Sequence, residues 1–139
     1  MDKIQELDRF LDADTDSNYW SDYGVLRASD LLKTIAPTDL EHLAENWPSR
    51  PSKWQIRFAD VLGDGDPVQA IPILVDMILK GDDLLAVTAC DALRTHLDNG
   101  GTPVEASASL MARVEQLHSS RQGLIQESLA LLLDRLKNQ

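Results

Sequence analysis

Apolar side chains recur with the period of an α-helix along most of the chain, and this pattern constrains the fold more than any other feature. Leu85, Ala89, Leu93 and Leu97 repeat every four residues, and residues 125–136 show the same spacing. A helix places such residues on one face. No stretch alternates apolar and polar residues in the way that a half-buried strand does. The periodicity therefore predicts an all-α protein.

Helix start and stop signals divide the chain into eight predicted helices. Capping boxes, in which Ser or Thr stands three residues before Glu or Gln, begin at Thr38, Ser52 and Thr102. Asp66 precedes Pro67, which also favours a helix start. Glycines that can close a helix in the left-handed conformation stand at Gly63, Gly81 and the pair Gly100-Gly101. The predicted helices span residues 2–12, 28–36, 38–47, 52–62, 67–80, 83–97, 103–118 and 121–137.

The loops between these helices are short, so neighbouring helices are expected to be antiparallel. The last six helices then form three hairpins, at 38–62, 67–97 and 103–137. Pro67-Val68 and Pro103-Val104 begin equivalent helices 36 residues apart. A period of about 36–40 residues with two helices per unit is typical of an α-solenoid. We expect one domain, with residues 1–37 as an N-terminal helical cap and residues 38–137 as three stacked hairpins.

The segment from Asp66 to Leu93 resembles a HEAT repeat. In that family a proline-kinked first helix leads through an aspartate-containing turn into a second helix with small residues and a terminal leucine. Pro72 fits the kink, because it cannot donate to the carbonyl four residues earlier. Thr88 departs from the family, since many HEAT repeats carry arginine there. The resemblance covers residues 66–137, and more loosely the preceding hairpin, and it implies a short HEAT-like α-solenoid rather than a function.

Negative charge is concentrated in two segments. The net charge is −10. Residues 1–24 contribute −5 and residues 60–98 contribute −6, while the rest of the chain is nearly neutral. Such a balance disfavours direct binding to nucleic-acid phosphates or to anionic lipid, and it would attract a basic protein.

The cellular setting is constrained by cysteine content and hydropathy. A single cysteine excludes an intrachain disulfide. The first residues contain no apolar signal-peptide core, and the longest apolar run, 70–79, is interrupted by Asp76 and is too short to cross a bilayer. We therefore expect a cytoplasmic protein without a membrane partner.

A calcium-binding loop is suggested by carboxylates at alternate positions in Asp12, Asp14 and Asp16. An EF-hand loop needs glycine at its sixth position and a bidentate glutamate at its twelfth, but these positions hold Ser17 and Tyr23. We prefer a solvated acidic loop, and a metal-dependent switch or enzyme stays as an alternative.

No catalytic residue and no cofactor site is predicted. The three histidines, His42, His96 and His118, lie on separate helices, and the last two are expected to interact with helix C-termini. Cys90 falls on an apolar face and is expected to be buried. Asp82-Asp83 is interpreted as the N-terminus of a helix.

The aromatic residues are more informative. Tyr19, Trp20 and Tyr23 crowd beside four aspartates in a predicted non-helical stretch. Tyrosine and tryptophan are enriched at binding hot spots. The alternative is that they cover the open end of the solenoid. Trp47 and Trp54 are predicted to pack structurally at an interhelical corner.

The combined pattern favours a non-catalytic binding protein. Small size, acidity, helical hairpins and the segments Tyr19-Trp20 and Asn46–Gln55 are similar in style to bacterial immunity proteins. That resemblance implies a cognate toxin as partner, commonly a cationic nuclease. An adaptor or scaffold subunit of a larger assembly is the alternative. The predicted contact residues are Asp12, Asp14, Asp16, Tyr19, Trp20, Asp22, Tyr23, Asp64, Asp66, Asp82 and Asp83.

Overall fold

The computed structural model describes residues 2–12, 20–100 and 102–139, with only the backbone described for Ser21 and Asp22. Within these residues the chain forms eight α-helices and no strand, which confirms the all-α prediction. The helices are α1 (Lys3–Asp12), α2 (Val25–Thr34), α3 (Pro37–Asn46), α4 (Ser52–Leu62), α5 (Pro67–Lys80), α6 (Asp83–Asn99), α7 (Ala108–Ser120) and α8 (Gly123–Lys137). A π-helical turn, Trp20–Gly24, precedes α2, and a 3-10 turn, Trp47–Ser49, follows α3.

The helices are stacked in two layers. The first layer contains α3, α5 and α7, and the second contains α4, α6 and α8. Successive helices alternate between the layers, so α5 packs on α6 and α7 packs on α8. Helices α1 and α2 pack against each other and against α4. The result is a repeat-like helical fold.

Contacts between successive units recur at a nearly constant separation along the chain. The His96 side chain contacts the carbonyl of Leu62, 34 residues earlier. Arg113 donates to the carbonyl of Ile78 across 35 residues, and the Ser128 hydroxyl donates to Asp91 across 37 residues. These separations lie close to the predicted period.

The three tryptophans lie in the core, and each indole N–H donates a hydrogen bond to an aspartate. Trp47 and Trp54 are 2% and 1% exposed, which confirms that they pack structurally. The pairs are Trp20 with Asp60, Trp47 with Asp76 and Trp54 with Asp8. Because an indole buried without a partner is costly, these aspartates are part of the packing.

Two predicted helix starts are confirmed by side-chain caps. The Asp66 carboxylate accepts a hydrogen bond from the Val68 N–H at 3.0 Å, at the start of α5. The Asp82 carboxylate accepts one from the Leu85 N–H at 2.9 Å, at the start of α6. Both contacts satisfy backbone donors that have no partner within the helix.

The three predicted capping boxes are wrong. Helix α3 begins at Pro37, one residue before Thr38, because a proline at the first position fixes the backbone for helix entry. Pro51, rather than Ser52, precedes α4. Thr102 caps nothing, since α7 begins at Ala108 and the Ser107 hydroxyl accepts from Leu110.

The residues before α7 are not helical, and one of them is bonded to a residue distant in sequence. Val104 is 5% exposed, and its N–H and carbonyl both bond to the side chain of Gln139 at 2.6 Å. These bonds tie the segment to the C-terminal end of α8, which accounts for the late start of α7.

Two glycines that follow helices do so for different reasons. Gly100 has a φ of 76° and a ψ of 176°, a backbone conformation that is essentially restricted to glycine. Gly81 has ordinary dihedrals, but a Cβ there would lie 2.6 Å from the Met77 carbonyl and 2.7 Å from a Leu85 methyl. The predicted left-handed helix closure is therefore wrong at Gly81, and also at Gly63, where φ is −61° and ψ is −24°. At Gly100 the φ is positive, but the ψ of 176° is not that of a left-handed helical residue. No helix within the described ranges is long and apolar enough to span a bilayer.

Candidate partner-binding surfaces

Among the contact residues predicted near the N-terminus, Asp14, Asp16 and Tyr19 lie outside the described residues, and so does the side chain of Asp22. Asp12 is exposed at the C-terminal end of α1, and Tyr23 is 66% exposed within the π-helical turn. The region predicted as non-helical is therefore helical from Trp20 onward.

Trp20 is a core residue, so it is removed from the predicted contact set. Its side chain is only 7% exposed. Its indole N–H donates to Asp60 Oδ2 at 3.1 Å, and the guanidinium carbon of Arg57 lies 4.8 Å from the ring centroid. Arg57 is itself 5% exposed. The Trp20 ring therefore stacks on a buried cation and bonds to a carboxylate of α4. It covers α4 and is not available to a partner.

The same contact brings the two acidic segments of the sequence together. Trp20 belongs to the first segment and Asp60 begins the second. Close by, the Ser29 hydroxyl on α2 donates to Asp64 Oδ2 at 3.2 Å. A residue of the first segment therefore contacts the second segment near the C-terminal end of α4, through an uncharged donor and a carboxylate.

The four predicted loop aspartates do not form one patch. Asp64 and Asp66 precede α5, whereas Asp82 and Asp83 follow it. Helix α5 has 14 residues, which corresponds to a length of about 21 Å. These two pairs therefore cannot bind one small group together.

Three of these four aspartates also have structural roles. Asp66 and Asp82 cap helices, as described above. Asp83 Oδ1 lies 3.1 Å from the Arg113 guanidinium, and Asp83 Oδ2 lies 3.9 Å from that of Arg121. All four are exposed, but replacing these three would change helix ends or ion pairs as well as surface charge.

A groove along the exposed side of the second layer combines acidic and apolar groups. We call it the Asp60 groove. Its volume is about 430 Å³. It crosses α4, α6 and α8, and its lining consists of Asp60, Val87, Thr88, Asp91, Arg94, Leu124, Ile125, Ser128 and Leu129.

The ionised form of the Asp60 carboxylate is destabilised in this groove. Desolvation raises the pKa of Asp60 above its ordinary value of 3.8, and the hydrogen bond from Trp20 opposes that rise. The negative charges of Asp91 and Asp64 raise this pKa further, while the positive charge of Arg57 lowers it. A cation brought beside Asp60 would relieve this unfavourable energy.

Arg94 is the one cation among the groove-lining residues, and its guanidinium is engaged in ion pairs within the protein. Its guanidinium bonds to Asp91 at 3.0 Å and to Asp98 at 3.1 Å, and its Nε donates to Ser128 at 3.3 Å. Arg94 therefore orients Asp91. No other exposed cation among the lining residues balances the negative charge of Asp60.

Apolar side chains form the far wall of the groove. Leu124 is 83% exposed and Ile125 is 46% exposed, both on the first turn of α8. Lysine and arginine have apolar stems below a charged head, so carboxylates next to exposed aliphatic groups match both parts of these side chains. The arrangement can bind a basic side chain of a partner.

The sequence pattern alone did not reveal this groove. Asp60, Asp91 and Leu124 lie on three helices, and no local motif joins them. The available signal was the repeat itself, since Asp60, Asp91 and Ser128 follow one another at roughly the length of a helical pair.

The Cys90 thiol and the His96 imidazole are both buried. Cys90 is 2% exposed, and burial raises the pKa of its thiol from 9.0 to about 12. His96 Nε2 lies 2.7 Å from the carbonyl oxygen of Leu62, so it caps α4 and not its own helix as predicted. Among the described residues no group of three His, Cys, Asp or Glu side chains could hold a metal ion.

No family model matches the chain, and neither a curated protein nor a solved structure is detectably similar to it.

Proposed function

We propose that the protein binds a basic protein partner through the Asp60 groove, and that this partner is a cognate toxin, with a cationic nuclease as the expected class. The observation that carries the proposal is the placement of Asp60 and Asp91 next to the exposed side chain of Leu124. The role is non-catalytic, and the proposed location is the cytoplasm.

Electrostatics supports neutralisation of a nuclease by such a surface. Opposite charge accelerates encounter between two proteins. Residues that hold substrate phosphates are Lys and Arg, so an acidic groove competes for the side chains that the nuclease uses. The exposed aliphatic residues then supply apolar contact after encounter.

The test is co-expression with the product of the adjacent gene, followed by purification and calorimetry. We expect a complex, and we expect cells that produce both proteins to survive conditions in which the neighbour alone is toxic. The double variant Asp60→Asn with Asp91→Asn is expected to weaken the complex roughly tenfold or more. Glu105→Gln with Glu115→Gln, which removes the same charge outside the groove, is the matched control and is expected to bind like the unmodified protein.

Two results would argue against this function. If the neighbour neither binds nor harms cells, the toxin proposal fails. A stable complex without protection would favour the adaptor or scaffold function instead. Calorimetry with calcium tests the metal-dependent alternative, which requires measurable heat of binding.

A further inference from the structure

The first layer contains an open cleft between α3 and α5. Helices α5 and α7 pack directly. Between α3 and α5 lie two adjoining cavities of about 440 and 320 Å³, which share Pro37, Leu40 and Gln69. At the C-terminal end of α3, the Trp47 indole donates to Asp76 on α5 at 3.1 Å and fixes the width there. We call this space the α3–α5 cleft.

The walls of the cleft are two parallel apolar rows. Leu40 and Ala44 stand one turn apart on α3, and Val68 and Pro72 stand one turn apart on α5. Val68 is 68% exposed although it belongs to this apolar surface. Rows of side chains four residues apart on neighbouring helices form the groove into which a third helix fits.

The polar groups of the cleft favour an occupant rich in hydrogen-bond donors. Pro72 has no N–H, so the Val68 carbonyl lacks its normal donor within α5. Three carboxylates stand among the lining residues, against one cation, Lys33; they are Glu41, Asp64 and Asp66. Lysine and arginine supply both positive charge and donors.

We propose that the α3–α5 cleft docks an amphipathic helix of a partner protein, with apolar side chains in the cleft and lysine or arginine along its edges. The cleft belongs to the first layer, whereas the Asp60 groove belongs to the second. The inference goes beyond the proposed function and does not depend on a toxin being the partner.

The probe is a synthetic fluorescent peptide of about 12 residues, with leucine at helical spacing and lysine elsewhere. A second peptide of the same composition, in which leucine and lysine alternate, is the control for charge alone. We expect anisotropy to show at least about fivefold tighter binding of the helical peptide, because only this peptide presents one apolar face.

Charge reversal on α3 locates the site. Glu41→Lys lies in the cleft lining, and Glu45→Lys makes the same charge change on the same helix at an exposed position outside the lining. We expect Glu41→Lys to weaken the helical peptide roughly tenfold and Glu45→Lys to change its affinity less than about twofold. Val68→Ser, at a second exposed position in the cleft, is expected to weaken it as well.

The groove variant Asp60→Asn with Asp91→Asn separates the two proposals, because it is expected to bind the helical peptide normally. Equal binding of the two peptides would overturn the docking proposal, and so would equal effects of Glu41→Lys and Glu45→Lys. If only the groove variant lost peptide binding, the docking proposal would also be overturned, because the peptide would then bind at the second layer.

Discussion

The indole N–H of Trp20 donates to the carboxylate of Asp60 at 3.1 Å, and this bond joins the N-terminal helices to α4. Trp20→Phe keeps an aromatic ring over Arg57 but removes the donor and part of the buried ring. We expect the free energy of unfolding to fall by about 1–3 kcal/mol, because a hydrogen bond to a charged group and some apolar packing are both lost. Urea denaturation followed by circular dichroism measures the change. An unchanged urea midpoint would show that the bond contributes nothing.

The raised pKa of Asp60 predicts how stability depends on pH. The folded state holds the Asp60 proton more tightly than the unfolded state, so ionisation of this group costs stability as pH rises from about 3.8 through the folded pKa. Asp60→Asn removes that cost and keeps an acceptor for Trp20. We expect the stability of the variant relative to the unmodified protein to increase between pH 3 and pH 7, a range of about 4 units that spans this titration.

Burial is the main cause of the raised pKa of Asp60, and the negative charges of Asp91 and Asp64 add to it, whereas the Trp20 hydrogen bond and the Arg57 charge oppose it. Urea titrations of both proteins across this range give the difference directly. A difference that stays constant, or that decreases with pH, would contradict the raised pKa.

Cys90 is expected to resist thiol reagents while the protein is folded. A shift of its pKa from 9.0 to about 12 lowers the thiolate fraction at pH 8 roughly a thousandfold. Reaction with a disulfide reagent measures this at one site, because the chain has one cysteine. Full reactivity in strong urea is the control. Rapid labelling of the folded protein would contradict the burial of the thiol.

Gly81 and Gly100 are expected to respond differently to alanine. Gly100→Ala meets no steric obstacle but must adopt a φ of 76°, which costs about 1 kcal/mol. Gly81→Ala forces a methyl against the Met77 carbonyl and Leu85, and we expect a loss of about 2 kcal/mol. Gly100→Asn is expected to cost about as much as Gly100→Ala, because asparagine tolerates a positive φ only near the left-handed helical ψ of about 47°, whereas Gly100 has a ψ of 176°. A much smaller loss for asparagine than for alanine would contradict this conformational explanation.

Arg113→Lys tests whether the planar guanidinium joins α7 to the end of α5. Arg113 donates to the carbonyls of Ile78 and Gly81 and to the Asp83 carboxylate. Lysine keeps the charge but cannot reproduce this fork, so we expect a loss of about 1–2 kcal/mol.

The matched control is Arg135→Lys, at a side chain that is 57% exposed and paired with Asp98. We expect its effect to be below about 0.5 kcal/mol. Thermal or urea unfolding of both variants provides the comparison, and equal losses would contradict a special role for Arg113.

The helices were predictable because their signals are local. Asp66 and Asp82 cap the helices that follow them, as their positions next to apolar periodic segments indicate. Thr102 carries an equally good local signal and was misleading. The competing bonds between Val104 and Gln139 join residues 35 positions apart, and no local pattern contains that information.

The candidate surfaces were only partly predictable for the same reason. The concentration of acids from residue 60 onward includes two residues that line the Asp60 groove, but the pairing of Asp60 with Trp20 across 40 residues depends on packing. Hot-spot statistics favoured Trp20 as a contact, whereas its burial makes it a covering residue. The exposed wall formed by Leu124 has no signature in the sequence, because an apolar residue on a helix is ordinarily expected in the core.

The tryptophan–aspartate pairs also determine what spectroscopy can observe. All three indoles belong to the first 54 residues, and no aromatic residue follows Phe58. Intrinsic fluorescence will therefore report the N-terminal helices and will be blind to α7 and α8, while the Cys90 thiol reports α6. In a linear array of helical pairs, one end of the molecule can unfold before the other. A difference between the unfolding midpoint from tryptophan fluorescence and the midpoint from Cys90 reactivity would show such stepwise unfolding.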